Sequence, residues 1–516
     1  MLEERVLEIT KKAVSIYSPT NTAAEKEVEQ YLLQVLQQMP YFKRNKELCG
    51  AYEIPEDVWQ RSCIYGLVLG KSRRTVVYMG HHDVVDTDVY GSLAEMATQP
   101  ELLAQELQKA DLDEDAEKDL ASGQWLFGRG TCDMKGGTAA QLAVLEEYAK
   151  NPDSGSMLFL SVPDEEAFSA GMRGCLPLLQ ELRERYGLTY ELGVNCEPNS
   201  RENGLQTVYT GTVGKLLPCV LVQGRSVQIG SYYEGVNPVA LLAEIVSRTE
   251  GDRSLVDTEH EEQTVPPVWN FMRDFKSSYD FSLPRRGAAY CNILTYHRQP
   301  AEVLQWLEDK CREAADAAMA KQGSGNSAAV IRYAQLLQKA QERKGFEEFY
   351  QKLQQEMARR LQEEKTDFPA LTLWAIEQVL DFTECDEPLI IIGFAPPYYP
   401  PLSSKRLAKD FAQVESFVQT LLPLKFKSYF MGISDCSYLG AEQEPDSSFS
   451  CNAPAWGKLY SFDSNVLAAL QIPFLLLGPW GKDLHRRTER VHIGSLCHAL
   501  PQVLQKLNKF IWEDKK

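Results

Sequence analysis

Short apolar runs, each closed by a knot of polar and charged residues, recur along the chain. TVVYM at 75–79 leads into GHHD, MLFLSV at 157–162 into PDEE, LGVNC at 192–196 into EP, and FLLLG at 474–478 into PWGKDLH. Apolar runs this short, bounded by Gly, Pro and Asp, predict buried strands. Between them the apolar spacing changes to three and four, which predicts helices over 134–150 and 170–186, the second with Met172, Cys175, Leu179 and Leu182 on one face. Strands alternating with helices predict an α/β fold on a mostly parallel sheet. A second group of elements lies between: strands at 215–224, 290–296 and 389–394 and a helix at 237–248. Residues 300–380 read as long and helical, with AVIRYAQLLQKAQERKGFEEFYQKLQQEMARRLQEE patterned as solvated amphipathic helix.

In parallel sheets ligands collect outside the carboxyl ends of the strands. His81, Glu165, Glu166, Glu197 and His485 all stand at that end of their runs, and Asp133 follows another apolar piece, WLF. Asp133 lies in LFGRGTCDMKGG at 126–137, whose glycines fit neither common phosphate pattern: Lys135 is not followed by Ser or Thr, and the spacing is not G-x-G-x-x-G. The glycines therefore serve Asp133, letting its backbone turn sharply and come close to something. Two imidazoles and three carboxylates, without thiolate, can hold two divalent cations with one carboxylate bridging, while a further carboxylate stays free to accept a proton. Such a set suits Zn²⁺ best, with Mn²⁺ or Co²⁺ possible, and disfavours Ca²⁺.

A chain of 516 residues predicts two domains, side by side or one inserted in the other. Its net charge of -18 argues against a nucleic-acid partner, because phosphate binding needs a basic surface. The start, MLEERVLEITKKAVSIYSP, lacks the basic opening and apolar core of a signal peptide, and no run of eighteen apolar residues occurs, so neither membrane insertion nor export is expected and the chain reads as cytoplasmic. The 12 cysteines form no C-x-x-C pair, so neither a zinc-finger framework nor a redox motif is visible.

GHHDVVD (80–86), GRGTCDMKGG (128–137), PDEEAFSAGMRG (163–174), CEP (196–198) and GPWGKDLH (478–485), in this order, resemble the dinuclear zinc hydrolases of metallopeptidase family M20: aminoacylases, acetylornithine deacetylases, succinyl-diaminopimelate desuccinylases and glutamate carboxypeptidases. The extra segment before GRG, with YTGTVGKLLP and APPYYP, is most similar to the arginine-utilisation (RocB-type) members. The resemblance implies that Asp133 bridges two Zn²⁺, that His81 and Glu197 hold one and Glu166 and His485 the other, that Glu165 is the general base, and that Asp83 orients His81. It implies a cis peptide after Asp133. It also implies a catalytic domain of residues 1–208 and 402–516 interrupted by an α+β lid of 209–401, through which many members dimerise, with the helical insertion at about 300–380. The implied reaction is hydrolysis of an amide bond in a small N-acyl amino acid or dipeptide, with a link to arginine catabolism.

One position departs from the family pattern. Members usually carry a lid histidine that helps hold the oxyanion, and GRSVQIGSYYEGVNP at 224–238 places Gln228 there. A glutamine donates a hydrogen bond but no positive charge, and loss of one such donor costs about 10²- to 10³-fold in turnover. A second reading follows, that of a metal-loaded, slow or inactive relative serving as a small-molecule binding or scaffolding protein. His260 and His297 are the other lid histidines; Asn292 matches a lid asparagine that contacts substrate, Arg286 stands where a base could pair with a substrate carboxylate, and Ser434 and Asp435 in GISDCSY resemble a substrate loop. His82 is expected to support a neighbouring ligand or to pack, rather than to bind metal itself.

Overall fold

The computed structural model describes residues 2–259, 261–323, 328–363, 366–442 and 446–513. They form two units: Met1–Thr212, Leu402–Gln443 and Phe462–Lys516 make the first, and Val213–Pro401 with Glu444–Ser461 the second.

The four apolar runs become the centre of the first unit's nine-stranded sheet. Ser156–Val162, Arg74–His81, Thr189–Asn195 and Phe474–Leu476 lie side by side, every neighbouring pair parallel. Covered on both faces, they carry continuous apolar sequence rather than alternation, and Val76, Val77, Tyr78 and Met79 are wholly buried. Antiparallel pairing appears only toward the edges, as where Ser62–Val68 joins Ser156–Val162 and Cys49–Glu53 follows outside it. Because the four central strands run the same way, their polar ends emerge along one edge.

The helix Lys135–Tyr148 lies against this sheet, buried from Lys135 to Leu145. Gln141 Nε2 donates to the carbonyls of Met79 and Val194, 3.0 Å each, tying the helix to two adjacent strands. A Cβ on Gly137 would stand 2.2 Å from the Cys196 carbonyl oxygen, so only glycine permits this approach. The helix expected at 170–186 is divided into Ala170–Gly174 and Leu176–Tyr186, with Pro177 opening the second. Trp125–Phe127 is outside the main sheet: it pairs antiparallel with Arg490–His492, which pairs with Gly481–Lys482. Asp133 is thus reached from a small separate sheet. The segment before it folds as Asp88–Met96, Pro100–Leu107 and Glu114–Ser122, and buries Tyr90, Ala97, Leu103 and Leu107 against Trp125 and Phe127.

The second unit has a five-stranded sheet in the order Val268–Asp274, Arg286–Thr295, Gly214–Gln223, Leu389–Tyr399, Ala329–Arg332, antiparallel except for the last pair. The helix Pro238–Thr249 starts where the Asn237 side chain accepts from Val239 N–H. Pro300–Gln322, Tyr333–Gln341, Phe346–Glu363 and Phe368–Thr383 supply the expected helical stretch. Two expectations are corrected here. Ala329–Arg332, read as the start of an amphipathic helix, is a strand, because Val330 and Ile331 find Ile390 and Ile391 as parallel neighbours. Residues 446–461, read as part of the catalytic domain, belong to the second unit: Asn452 Oδ1 accepts from Ala334 N–H at 3.0 Å, and Phe449 stacks on Phe394 and Tyr398. All twelve cysteines are free. Among the described residues no helix is long and apolar enough to cross a membrane.

Candidate metal centre

The polar ends of the parallel strands converge in the first unit. His81 ends its strand, and its Nε2 lies 3.1 Å from Asp133 Oδ1, 3.3 Å from Glu197 Oε1 and 4.0 Å from Glu165 Oε2. His485 Nε2 lies 3.1 Å from Asp133 Oδ2 and 3.1 Å from Glu166 Oε1. Asp133 therefore turns one oxygen to each histidine. The donor atoms of His81, Asp133 and Glu166, and again those of His81, Glu165 and Glu197, lie within 4.8 Å of one another, close enough to share a cation.

The surroundings hold these groups in place. His81 Nδ1 is 3.0 Å from the Asp83 carbonyl oxygen and 3.4 Å from its Oδ1. The Asp83 carboxylate also accepts from the backbone N–H groups of Glu165 and Glu166, 3.1 Å each, so one side chain fixes both a histidine and the turn that carries two carboxylates. That turn passes through Asp164 at φ 69°, whose carboxylate meets Arg61 Nη1 at 3.0 Å; Arg61 is held in turn by Glu25 and Asp57, 2.7 Å each. The peptide Asp133–Met134 is cis.

Packing this many carboxylates together shifts their proton affinities. Burial, reinforced by the charge of Asp133, pushes Glu197 up to about 8 and raises Glu166. Burial, reinforced by Glu197 and Asp435, pushes Glu165 well above the carboxylate range. Hydrogen bonds to Asp133 and Glu166 push His485 up to about 10. Burial opposes charge on Asp133, yet its bonds to His485 and His81 hold it below the ordinary range. Buried carboxylates gathered around two imidazoles can hold two divalent cations, and the mixed nitrogen and oxygen donors suit Zn²⁺, Mn²⁺ or Co²⁺.

A profile of Peptidase family M20/M25/M40 matches residues 104–466. The chain belongs to this family. Whole-length similarity supports this: the chain is 30% identical to YqjN of Bacillus subtilis strain 168, covering 97% of this chain and 95% of that one, and 29% identical to RocB of the same strain, covering 98% and 94%. Among solved structures, a Staphylococcus aureus tripeptidase superposes with a TM-score of 0.56 at 14% identity, covering 99% of this chain and 98% of its own. YXEP of Bacillus subtilis, a dinuclear metal-binding peptidase of the M20 family, superposes with a TM-score of 0.52 at 11% identity, covering 100% and 99%. At such identities the superpositions show a shared M20 fold. Membership makes the chain an M20-family hydrolase with RocB-type relatives.

Two residues of this M20 centre escaped sequence reasoning. Glu489 and Arg129, both buried, form a short ion pair. Glu489 Oε1 accepts from the N–H groups of Gly130, Cys132 and Asp133 at 2.8, 3.4 and 3.3 Å, while Arg129 Nη2 donates to the His485 carbonyl oxygen at 3.2 Å. The pair ties the Asp133 turn to the His485 loop; the only sequence signal is an arginine set between two glycines.

Gln228, Arg286, Asn292 and His297 belong to the second unit. Gln228 is exposed at the start of the short turn Ile229–Glu234. Arg286, expected to meet a substrate carboxylate, is 5% exposed, and its guanidinium is taken up by Gln223, Glu377 and Asp381, so it is withdrawn as a substrate contact. Asn292 is partly buried and hydrogen-bonded to Asn270. His297 faces Glu259 at 3.4 Å, and His260 lies outside the described residues. Asp435, in the first unit, is wholly buried, and burial pushes its carboxyl up to about 7, which counts against a contact open to substrate. Its neighbour Ser434 is buried too, its Oγ accepting from Cys436 N–H. His82 is buried with Nδ1 3.0 Å from Ser161 Oγ, a packing role.

Proposed function

We propose that the protein hydrolyses an amide bond of a small N-acyl amino acid or dipeptide, using two divalent cations, Zn²⁺ foremost. One observation carries the reading: Asp133 offers separate oxygens to His81 and His485 at 3.1 Å each, which divides the donors into two sets that share a single carboxylate. His81, Glu197 and Asp133 would hold one cation and His485, Glu166 and Asp133 the other. The cations would supply Lewis acidity toward a carbonyl oxygen and toward water. Glu165, the remaining carboxylate, takes the proton of the attacking water and delivers it to the leaving nitrogen. Asp83 keeps the His81 ring and the Glu165 backbone aligned through this transfer. The free cysteines suit a reducing compartment, and we propose the cytoplasm. The resemblance of YTGTVGKLLP and APPYYP to the arginine-utilisation members is what supports an arginine-related substrate.

A single observation favours the second reading, of a slow or inactive binding protein: Gln228 stands where family members carry the lid histidine. The test assays a panel of N-acyl amino acids and dipeptides with wild type, Glu165→Ala and Gln228→His, together with bound zinc. Activity abolished by the first substitution supports hydrolysis. A wild type without activity that Gln228→His awakens supports the binding protein.

A further inference from the structure

The loop that presents His485 is tied at both ends to one helix. Lys482, three residues before His485, places Nζ 2.8 Å from Asp115 Oδ2 and 2.8 Å from Asp119 Oδ2. Arg490, five residues after it and fully buried, donates Nε to Asp119 Oδ2 at 2.7 Å, Nη2 to Asp115 Oδ2 at 2.6 Å and Nη1 to Asp483 Oδ2 at 2.5 Å. Between these anchors Arg487 Nη2 reaches the Asp111 carbonyl at 2.6 Å, and Thr488 Oγ1 donates to Asp483 at 2.7 Å. Asp115 and Asp119 lie on the same face of Glu114–Ser122, four residues apart. This helix closes the segment that precedes GRG, and the segment's apolar cluster fixes it against Trp125 and Phe127. The cations also sit over that aromatic platform, Lys482 4.9 Å from the Trp125 ring and Arg490 5.5 Å from the Phe127 ring.

The need for a clamp is visible in the loop itself. Asp483 and His485 both have left-handed backbones, at φ 55° and 63°, and the His485 side chain is 49% exposed, so neither regular structure nor burial holds the imidazole where it is. We propose that Glu114–Ser122 is a clamp whose Asp119 and Asp115 act as positioning residues: by holding Lys482 and Arg490 they keep His485 aimed at Asp133 and Glu166, and so set the affinity of the second cation position. Neither aspartate touches the reacting atoms. The inference rests on the reading that His485 ligates a cation. A supporting group of this kind changes metal affinity by about 10- to 100-fold. Since Asp115 is 62% exposed, the clamp is also screened by salt, whereas the His81 position, enclosed by the sheet, is not.

The test is a Zn²⁺ titration of the full chain against a chromophoric chelator, read as two binding steps. Wild type takes two Zn²⁺, and His485→Ala loses the weaker step. In the double variant Asp115→Asn, Asp119→Asn the weaker step falls by about 10- to 100-fold, and the tighter step keeps its affinity. Added sodium chloride weakens the same step in wild type and not in the double variant. Should circular dichroism show the double variant unfolded, Lys482→Met, which removes the exposed part of the clamp, is judged by the same step-selective loss. An unchanged weaker step, or equal weakening of both, overturns the clamp while the metal reading stands. A wild type that takes up no Zn²⁺, or a His485→Ala protein that keeps both steps, overturns the metal reading and the clamp with it.

Discussion

His81 ends a strand flanked by parallel neighbours on both sides, and its side chain is 1% exposed; His485 stands on an irregular loop, its side chain 49% exposed. The two imidazoles meet the same carboxylate at the same 3.1 Å. For His81 the sheet register determines position, and Asp83 needs only to turn the ring. For His485 nothing regular is at hand, and buried or half-buried charge does the positioning: Arg129 on its carbonyl oxygen, Arg490 and Lys482 at the ends of its loop. One centre thus combines a donor held by backbone hydrogen bonds with a donor held by ion pairs, and the two halves should fail under different perturbations.

The largest effect is expected where the two halves act together. Glu165→Ala should lower turnover on the responsive substrate by about 10²- to 10⁴-fold, the range for general acid–base catalysis, while bound zinc stays unchanged. Undiminished turnover would remove Glu165 from the mechanism. Arg129→Met leaves Glu489 buried without its partner and should cost about 3–5 kcal/mol in urea denaturation. A loss below about 1 kcal/mol would show that the pair does not organise the Asp133 turn. Zinc at a hundred times its dissociation constant should stabilise wild type by about 2.7 kcal/mol per site. His81→Ala should erase most of this gain and His485→Ala only the weaker part. Equal losses in thermal melts would contradict the asymmetry between the two histidines.

The smallest effect is a pH dependence in protein stripped of metal. Burial and the Asp133 charge lift Glu197 from 4.5 to about 8, and hydrogen bonds to Asp133 and Glu166 lift His485 from 6.5 to about 10. Both groups bind protons more tightly in the folded state, so the stability they contribute is complete below about 4.5 and declines as pH rises through 8 toward 10. Added Zn²⁺ replaces those protons, so its stabilising increment should grow between pH 6 and pH 9. A flat increment would show that the donors do not exchange protons for metal.

Much of the first unit was legible in sequence because its information is local. Four apolar runs of β-strand length became four adjacent parallel strands, and the charged residues closing them came to one edge. Where the signal was not local, reading failed. Ala329–Arg332 adjoins a helical pattern and becomes a strand only because Leu389–Ile392 is beside it. Residues 446–461 carry no mark of the unit they join, and contacts such as that between Asn452 and Ala334 assign them. Arg286 had the charge for a substrate contact, but Gln223, Glu377 and Asp381 already occupy it.

By itself the sequence determined the periodicities that make strands and helices, and the kinds of donor available: two imidazoles and a set of carboxylates at the polar ends of apolar runs. These are properties of neighbouring residues, and a pattern of period two or 3.6 expresses them directly. Only the tertiary structure decided what holds each donor. Arg129 and Glu489 are 360 residues apart, Lys482 and Asp119 363, Arg490 and Asp115 375, and no local pattern pairs such groups. Charge acts through space rather than along the chain, so the support of a metal centre becomes readable only when the fold has brought its parts within hydrogen-bonding reach.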